Sequence, residues 1–301
     1  MKKEKTLLIV NPAAGYNTGK KIYAGIYDQL KSIFSDIDLG ISKKPGDSVI
    51  LAKEAAAHGY DLIIALGGDG TSFEVLNGIM QSPGKKPALS FIPSGSGNSF
   101  LRDFNVTNPE QAIQRIANGK KHKIDMIKYS YSTDKGIETS YFINILGVGF
   151  VARVAVMRLK YFRLFRSFGY TLGVLAQLIP LKRDRIQLTA DGKKYEFENN
   201  FISISNSRFT GGKMMMAPSA SVEDGKMDIV MLNNAGRIKM LKSFPKIFEG
   251  THINIDNVKV LQARKAEITG EKKMPILVDG EVIGFTPLSA EVLPGALEVL
   301  I

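Results

Sequence analysis

Short hydrophobic runs alternate with amphipathic segments along the first part of the chain. Apolar runs bounded by turn-forming residues predict strands at Thr6–Val10, Ile37–Ile41, Leu62–Leu66 and Ala88–Ile92. The segments between and after these runs have the spacing of helices, which are predicted at Thr18–Phe34, Asp47–His58, Thr71–Gln81 and Pro109–Asn118. Strands that alternate with helices in this way predict a doubly wound, mostly parallel sheet.

The pattern changes after Asp125. Short runs of alternating polar and apolar residues follow, and turn sequences such as Asp191-Gly192 separate them. These runs predict antiparallel hairpins that form a β-sandwich, with one helical insertion at about 150–178. The sequence therefore predicts two domains, an α/β domain at residues 1–128 and a β-sandwich domain at residues 129–301.

The segment 62–78 combines a buried strand, a glycine turn and the start of a helix. Glycine has no Cβ, so the backbone N–H groups of such a turn can approach an anion closely. The helix start adds about half a positive charge, and Thr71 or Ser72 is expected to cap it. The segment is therefore typical of a turn that binds phosphate. The alternative is a tight turn in which Asp69 is the cap.

Asp69 lies among these amides, which is an unusual place for a carboxylate. Phosphate repels it there unless it holds Mg²⁺, orients a bound water or assists a reacting hydroxyl. Two other turns, Asn11–Gly15 and Pro93–Asn98, follow predicted strands in the same way. Because ligands of doubly wound sheets bind at the carboxyl ends of the strands, we expect the three turns to converge on one cleft.

The composition of the 301 residues, with 44% hydrophobic and 23% charged residues, is typical of a globular protein. The chain has no cysteine, which excludes disulfides, iron–sulfur clusters, thiolate zinc sites and a cysteine nucleophile. The histidines, at positions 58, 122 and 252, are too scattered to indicate a metal site. The run Leu7–Val10 is too short for a signal peptide and the uncharged stretch 168–181 too short for a membrane span, so we expect a cytoplasmic protein.

The net charge of +11 fits an anionic partner, either nucleic acid, a membrane surface or a phosphate-rich substrate. The sequence has no motif typical of nucleic-acid readers, so no nucleic acid is expected. Basic and apolar residues cluster at 158–166, a composition typical of a segment at an anionic membrane surface. This interpretation predicts peripheral attachment to the inner face of the membrane, and a solvated helix face is the alternative.

Four further motifs have competing interpretations. Residues 15–21 resemble a P-loop, but the spacing is short and Lys21 stands where Ser or Thr would bind Mg²⁺, so we reject it. Residues 147–152 partly match a dinucleotide fingerprint, but no acidic residue follows at the expected distance, which favours a close-packed turn. Asp279-Gly280 is typical of a type I′ hairpin turn, and the alternative is that the neighbouring Glu281 has a special role. Residues 224–228 are either a turn or a small site for a hard cation.

Several of these motifs occur in a fixed order along nearly the whole chain. They are Asn11–Gly15, Gly67–Thr71 with Glu74–Gly78, Pro93–Asn98, Gly211–Gly212 with Ala217–Pro218, Asp224–Asp228, Val278–Glu281 and Pro294–Leu297. The ordered set resembles the diacylglycerol kinase catalytic-domain family, which includes bacterial diacylglycerol kinases and the sphingosine and ceramide kinases. It is more specific than the Gly-Gly-Asp-Gly-Thr motif alone, which NAD kinases share. The resemblance implies a phosphofructokinase-like or NAD-kinase-like α/β domain followed by a β-sandwich domain.

The same resemblance implies an ATP- and Mg²⁺-dependent lipid kinase. It implies ATP contacts at Asn11, Pro12, Ala13, Ala14, Gly15, Ser42, Gly67, Gly68, Asp69, Gly70, Thr71, Ser72, Phe73 and Ser96. Asp69 would act with Mg²⁺ on the phosphates, and Glu281 would be the general base that takes the proton from the lipid hydroxyl. Asp224, with the carbonyls of Ser221 and Lys226, would hold a structural Mg²⁺.

The chain departs from the bacterial pattern at a few positions. Phe73 stands where many bacterial members have a polar residue, and Ser94–Ser99 is nearer to the form in sphingosine and ceramide kinases. Arg153, however, occupies the position where sphingosine kinases usually have an aspartate that meets the substrate amine. Because a guanidinium repels an ammonium group, we expect a substrate with a neutral or anionic headgroup and not sphingosine.

The expected partners are a membrane lipid as substrate, diacylglycerol-like or ceramide-like, and transiently an anionic membrane surface. A homodimer is left open. Two alternatives compete with the lipid kinase: a soluble kinase of the NAD kinase type, and a regulator that binds nucleotide or lipid without catalysis.

Overall fold

A computed structural model describes residues 3–95, 97–161, 172–173, 176–178, 181 and 184–301. Of residues 16, 158, 159, 199 and 200 it describes the backbone alone. The chain forms two compact units, called here the first unit (1–126 with 294–301) and the second unit (127–293). This division differs from the domains predicted at 1–128 and 129–301, because residues 294–301 lie in the first unit, where Val299 pairs with Leu89.

The first unit is built from alternating strands and helices. Its elements are β1 (Thr6–Val10), α1 (Ala14–Ile33), β2 (Ile37–Ile41), α2 (Asp47–Ala57), β3 (Leu62–Gly67), α3 (Asp69–Gln81), β4 (Ala88–Pro93), a 3-10 helix (Phe100–Phe104) and α4 (Pro109–Asn118). The strands lie in the order β2, β1, β3, β4, and neighbouring strands are parallel. This confirms the predicted α/β fold and places the carboxyl ends of β1, β3 and β4 side by side.

The apolar runs of the first unit form its core. β1, β3 and β4 are buried along their whole length, as is typical of parallel strands covered on both faces. Local signals set the ends of α4, since the Asn108 side chain accepts a hydrogen bond from the Gln111 N–H at 2.8 Å and Gly119 ends the helix at φ 70°. The bounds of α4 are therefore those that the sequence predicts.

The second unit is rich in strands, and β5 and β16 connect it to the first unit. Its elements in chain order are β5 (Lys121–Thr133), β6 (Gly136–Phe142), β7 (Ile145–Gly149), α5 (Phe150–Tyr161), β8 (Asp184–Ala190), β9 (Lys193–Ser205), β10 (Phe209–Thr210), β11 (Met214–Met215), β12 (Met227–Asn233), α6 (Arg237–Ser243), α7 (Lys246–Glu249), a 3-10 helix (Thr251–Asn254), β13 (Val258–Ala263), β14 (Lys265–Gly270), β15 (Pro275–Val278) and β16 (Glu281–Leu300).

The strands of the second unit pair in antiparallel fashion. Their order is β13, β12, β9, β7, β15, β16, and β14 pairs with both β8 and β16. The two predicted Asp-Gly turns form two-residue hairpin loops, because Ala190 pairs with Lys193 and Val278 pairs with Glu281. The central residues of both loops have positive φ, as a type I′ turn requires. This confirms the predicted antiparallel β-sandwich.

The helical insertion predicted at about 150–178 is described in part. α5 forms its beginning, whereas residues 162–171 lie outside the described residues. Most of the basic stretch 158–166 is therefore not described. Among the residues that the structure does describe, no helix has both the length and the apolar character needed to cross a bilayer.

Candidate functional site

Three strand-end turns of the first unit contact one another. The Thr18 hydroxyl donates a hydrogen bond to the Ser94 carbonyl at 2.7 Å, which joins the turn after β1 to the turn after β4. The Asn11 amide donates to the Thr71 hydroxyl at 3.0 Å, and the Ser94 N–H donates to the Gly67 carbonyl at 2.9 Å. The structure thus brings together the three turns that the sequence singles out.

Glycines permit this close packing. A Cβ on Gly15, which has φ +61°, would overlap the Ser94 carbonyl, and a Cβ on Gly67 would overlap the Thr71 side chain. A Cβ on Gly97 would overlap an oxygen of the Asp69 carboxylate. Glycine is needed at Gly15 and Gly97 because two turns approach one another there, and at Gly67 because the first turn of α3 packs against the end of β3. These reasons are additional to the approach of an anion.

The start of α3 corrects one sequence expectation. Thr71 or Ser72 was expected as the cap, but the N-cap residue is Gly68, with φ −102° and ψ −169°, and no side chain caps the helix. The Thr71 hydroxyl accepts from Asn11, and the Ser72 hydroxyl donates to the Gly68 carbonyl at 3.3 Å. The expectation was wrong because the helix begins at Asp69, so Thr71 and Ser72 lie within its first turn. Without a side-chain cap, the first amides of α3 suit an anion.

Asp69 is held by the turn after β4. Its Oδ1 accepts from the Ser99 N–H at 2.9 Å, and the Ser99 hydroxyl lies 3.4 Å from Oδ2. Burial raises the pKa of the Asp69 carboxyl, and hydrogen bonds from Ser99 and from the Asn98 backbone oppose this rise without cancelling it. No Lys or Arg of the described residues forms an ion pair with Asp69. The ionised form of Asp69 is therefore desolvated and lacks a cationic partner among the described residues.

Ser42 and Phe73 lie on the elements beside these turns. Ser42 is buried just after β2, and its N–H donates to the Val10 carbonyl at 2.9 Å. The loop that follows is tied to α3, because the Gly46 N–H donates to the Glu74 carboxylate at 3.0 Å. Phe73 is half-buried in α3. Ser96, also predicted to contact the ligand, lies outside the described residues.

The turn after β1 begins the next helix earlier than expected. α1 starts at Ala14, four positions before the predicted Thr18, so Ala14 and Gly15 belong to its first turn. The Asn11 carboxamide oxygen accepts from the Ala13 N–H at 3.1 Å, and Pro12 is half-buried. Asn11 therefore fixes this turn internally while its amide nitrogen reaches Thr71.

Sequence reasoning gave no contact to three residues that hold this site together: Thr18, Ser99 and Glu74. Thr18 contacts Ser94, Ser99 contacts Asp69, and Glu74 contacts Gly46. Each bond joins residues that are 28 to 76 positions apart. Polar residues at turn ends were a possible signal, but nothing in the sequence shows which distant atom each of them would meet.

Glu281 lies in the second unit, at the start of β16. It is exposed and follows the type I′ loop that joins β15 to β16. The Asp279 carboxylate accepts from the Ile145 N–H at 2.9 Å, and the Asp279 N–H donates back to the Ile145 carbonyl at 3.1 Å. This reciprocal pair fixes the loop to β7 and so fixes the backbone position of Glu281.

Arg153 is paired in the second unit. Its guanidinium donates to the Asp184 carboxylate at 2.6 Å, and the two side chains are only 14% and 18% exposed. Such a close pair carries little net charge. The structure therefore gives weaker support than the sequence to the idea that Arg153 repels an ammonium headgroup.

The loop 221–226 has the form of a turn. The Asp224 carboxylate accepts from the Lys226 N–H at 3.0 Å, and the Ser221 hydroxyl accepts from the Glu223 N–H at 3.3 Å. Asp224 itself is exposed. No group of three or more His, Asp or Glu side chains that could hold a metal is present in the part of the chain that the structure describes. The arrangement fits the turn interpretation of this motif.

Comparison with known families gives two matches that together span most of the chain. The diacylglycerol kinase catalytic domain matches residues 5–129, and the YegS C-terminal NAD kinase beta sandwich-like domain matches residues 144–301. Diacylglycerol kinase of Bacillus subtilis strain 168 is 28% identical over 287 residues, which cover 94% of this chain and 92% of that protein.

Solved structures show the same architecture. A diacylglycerol kinase from Bacillus anthracis strain Sterne aligns with a TM-score of 0.75 at 25% identity, covering 100% of this chain and 97% of that one. Yeast NADH kinase complexed with NADH aligns with a TM-score of 0.55 at 9% identity, covering 99% of this chain and 83% of that one. The second likeness shows a shared fold alone.

Proposed function

Since the chain belongs to the diacylglycerol kinase catalytic-domain family, we propose that it is a lipid kinase that transfers the γ-phosphate of ATP to a hydroxyl of a membrane lipid. One observation carries the proposal: three strand-end turns meet at the start of a helix that has no side-chain cap. Backbone N–H groups and the helix dipole favour an anion at such a place. In this proposal the anion is the triphosphate of ATP, whose γ-phosphoryl group passes to the lipid hydroxyl while ADP leaves.

In this proposal ATP binds at the three turns and at the residue after β2. The residues assigned to it are Asn11, Pro12, Ala13, Ala14, Gly15, Ser42, Gly67, Gly68, Gly70, Thr71, Ser72 and Phe73. Ser96 is assigned by the family resemblance alone. The contacts of Thr18 and Glu74 support the assignment, because they position two of these loops before a ligand arrives.

Asp69 is proposed to act together with Mg²⁺. A desolvated carboxylate without a cationic partner among the described residues suits a divalent cation, so the residue fits this role. When bound, Mg²⁺ neutralises part of the charge on the phosphate oxygens. The Asp69 carboxylate has a fixed position, because the hydrogen bond from the Ser99 N–H holds it against the turn after β4.

A structural Mg²⁺ near Asp224 is a separate and smaller proposal. One carboxylate with the carbonyls of Ser221 and Lys226 offers the oxygen donors that a hard cation prefers. Asp224 is exposed, and one of its oxygens already accepts a backbone hydrogen bond. The loop keeps its turn through that bond, so a bound cation there would add stability and no chemistry.

Glu281 is proposed as the general base. Phosphoryl transfer requires positioned reactants and one group that takes the proton from the attacking hydroxyl. Glu281 is an exposed carboxylate on a hairpin whose loop is fixed by Asp279. The Asp279 contacts therefore fix the backbone next to Glu281, and the residue itself lies at the surface.

The acceptor is proposed to be a neutral lipid such as diacylglycerol or ceramide. The ion pair of Arg153 with Asp184 leaves no net charge that an amine or an acid on the substrate would balance. A sphingoid base would bring an ammonium group towards that pair without an unpaired carboxylate to receive it. We therefore place sphingosine below the neutral lipids as a substrate.

The proposed function is tested with purified protein, γ-labelled ATP and Mg²⁺. The acceptors are diacylglycerol, ceramide, sphingosine and NAD, and the products are separated by thin-layer chromatography. We expect label on diacylglycerol or ceramide, less on sphingosine and none on NAD. Faster labelling of sphingosine than of either neutral lipid would overturn the assigned acceptor class.

Two other results would replace the proposal. Label on NAD without label on any lipid would show a soluble kinase of the NAD kinase type, which the fold shared with yeast NADH kinase allows. ATP binding without transfer to any acceptor would show a regulator. The three functions therefore give three different chromatograms.

Substitution of Gly97 tests whether the position of Asp69 matters. In Gly97→Ala the new Cβ overlaps the Asp69 carboxylate and moves it, so we expect transfer to fall by about a hundredfold. Gly25→Ala is the matched control, because a Cβ there meets nothing within 4 Å. The control should keep full activity and gain up to about 1 kcal/mol in free energy of unfolding, since Gly25 lies in α1. Normal transfer by folded Gly97→Ala would show that Asp69 needs no fixed position.

A further inference from the structure

Helices α6 and α7 carry an apolar strip on the outside of the second unit. Ile238, Leu241 and Phe248 are 72%, 52% and 47% exposed. The opposite side of the same helices faces the interior, because Met240 is buried in the core and Ile247 packs against it. The exposed residues are thus additional to those that anchor the helices, and the core does not need them.

Basic side chains border this strip. Arg237, Lys239, Lys242 and Lys246 line a shallow depression that Ile238 also lines. Glu249 is the one acidic residue between positions 237 and 249. Arg237, Lys242 and Lys246 form no ion pair with any described residue, whereas Lys239 donates a hydrogen bond to the Asn257 side chain. The depression therefore has a positive surface with apolar side chains at its margin.

The exposed aromatic part of the strip is held in place. The rings of Phe244 and Phe248 contact edge to face, with centroids 5.9 Å apart at 81°. Pro245 separates α6 from α7 and fixes the direction of the chain between them. These side chains therefore lose little conformational entropy when the surface binds a partner.

We infer that the α6–α7 surface docks onto an anionic phospholipid bilayer. Apolar side chains flanked by Lys and Arg are the composition of segments that lie in the membrane interface. The alternative occupant is another protein, but Lys is depleted from protein interfaces, and three of the four basic residues here are lysines. The surface is also separate in sequence from the stretch 158–166, which the sequence alone had suggested for this role.

This inference deepens the proposed function and rests on it for its meaning, because a kinase whose acceptor lies in a membrane must reach that membrane. The docking itself is a property of the surface and can be measured without ATP or acceptor. Membrane binding and catalysis can therefore be tested in separate experiments.

The test is flotation of the full chain with vesicles of phosphatidylcholine alone and of phosphatidylcholine mixed with phosphatidylglycerol. We expect the protein to float with the anionic vesicles and to be released by high salt. In Lys242→Gln/Lys246→Gln, partitioning should fall about twenty-five-fold, at about fivefold for each basic residue. In Ile238→Ser/Leu241→Ser it should fall by about tenfold or more, because the apolar anchor is lost.

Matched controls change similar residues elsewhere in the second unit. Ile137→Ser removes an apolar side chain that is 78% exposed, and Lys193→Gln/Lys194→Gln removes two exposed charges at the β8–β9 turn. Both should float like the wild type, and thermal unfolding verifies that every variant is folded. The inference is overturned if the α6–α7 variants bind like the wild type, if the controls lose as much, or if the wild type floats with neither kind of vesicle.

A second readout separates this inference from the kinase proposal. Transfer to a water-soluble, short-chain diacylglycerol should be normal in the α6–α7 variants, because that acceptor needs no membrane. Vesicle binding without transfer to any lipid would support the membrane-docking surface and refute the proposed kinase activity. Loss of transfer to the short-chain acceptor in these variants would show that α6–α7 serves the reaction and not the membrane.

Discussion

Glu281→Gln is expected to slow phosphate transfer from ATP to lipid by a factor of about a hundred to ten thousand. Glutamine has the shape of glutamate but cannot take the proton of the attacking hydroxyl. The substitution leaves the hairpin intact, because Asp279 and not Glu281 fixes the loop to Ile145. The loss should therefore appear in kcat, and the dissociation constant of ATP should stay that of the wild type.

Glu267→Gln is the matched control for this prediction. Glu267 is likewise an exposed glutamate on an antiparallel strand of the second unit. It should transfer phosphate at the wild-type rate, and both variants should have the same unfolding midpoint as the wild type. Full activity in Glu281→Gln would refute the role of general base.

Asp69→Asn should reduce transfer by about a hundredfold or more, because in the proposed function the Asp69 carboxylate acts together with Mg²⁺ on the phosphates of ATP. Asn retains an oxygen that can accept the Ser99 N–H, so the turn after β4 keeps its bond to α3. The defect should be partly relieved by raising the Mg²⁺ concentration if the carboxylate acts through the metal. Asp28→Asn, on the exposed face of α1, is the control and should be fully active.

The same variant should be at least as stable as the wild type at neutral pH. Burial raises the folded-state pKa of Asp69 above its unfolded value, so the folded protein holds this proton more tightly than the unfolded chain does. The stability of the wild type therefore falls as pH rises from the unfolded pKa through the folded pKa, and Asn avoids that loss. Denaturant unfolding of both proteins across this range measures the difference, which should vanish at low pH.

An outcome with the opposite sign would contradict the account of Asp69. If Asp69→Asn were clearly less stable than the wild type at neutral pH, the carboxylate would have a structural role and stabilise the fold. If it were stable and fully active, neither role would hold. Loss of activity with retained or increased stability is the pattern of a residue kept for chemistry.

Much of the fold follows from local patterns. The bounds of β1, β2 and α4 match those predicted, because turn-forming residues or a cap and a glycine end these elements sharply. Both Asp-Gly turns are two-residue hairpin loops, since these residues tolerate the positive φ that such loops require. Signals of this kind act over a few residues and are visible in the sequence.

The structure differs from the sequence predictions where contacts between distant residues determine the local structure. The helix α3 was predicted to start at Thr71, but it begins at Asp69. The Thr71 hydroxyl instead accepts a hydrogen bond from the Asn11 side-chain amide of another turn. The last residues of the chain were predicted in the second domain, yet Val299 pairs with Leu89 in the first unit. Long-range pairings such as these leave no periodicity in the sequence, so composition and spacing do not reveal them.

The candidate site shows the same limit. Its turns were visible because glycine runs at strand ends are a local pattern. The contacts that organise them, such as Thr18 with Ser94 and Ser99 with Asp69, were not visible. The ion pair of Arg153 with Asp184 changed the meaning of a residue that the sequence had suggested as a free charge.

The central claim is that the turn cluster holds ATP and that Glu281 enables its γ-phosphate to reach a lipid hydroxyl. The most direct measurement is a single-turnover experiment in which γ-labelled ATP is bound to the wild type or to Glu281→Gln and diacylglycerol is then added. The account predicts that the wild type moves the label to the lipid within one turnover, while Glu281→Gln retains labelled ATP unreacted. Label that reaches the lipid equally fast in both proteins, or that reaches no lipid in either while ATP stays bound, would contradict it.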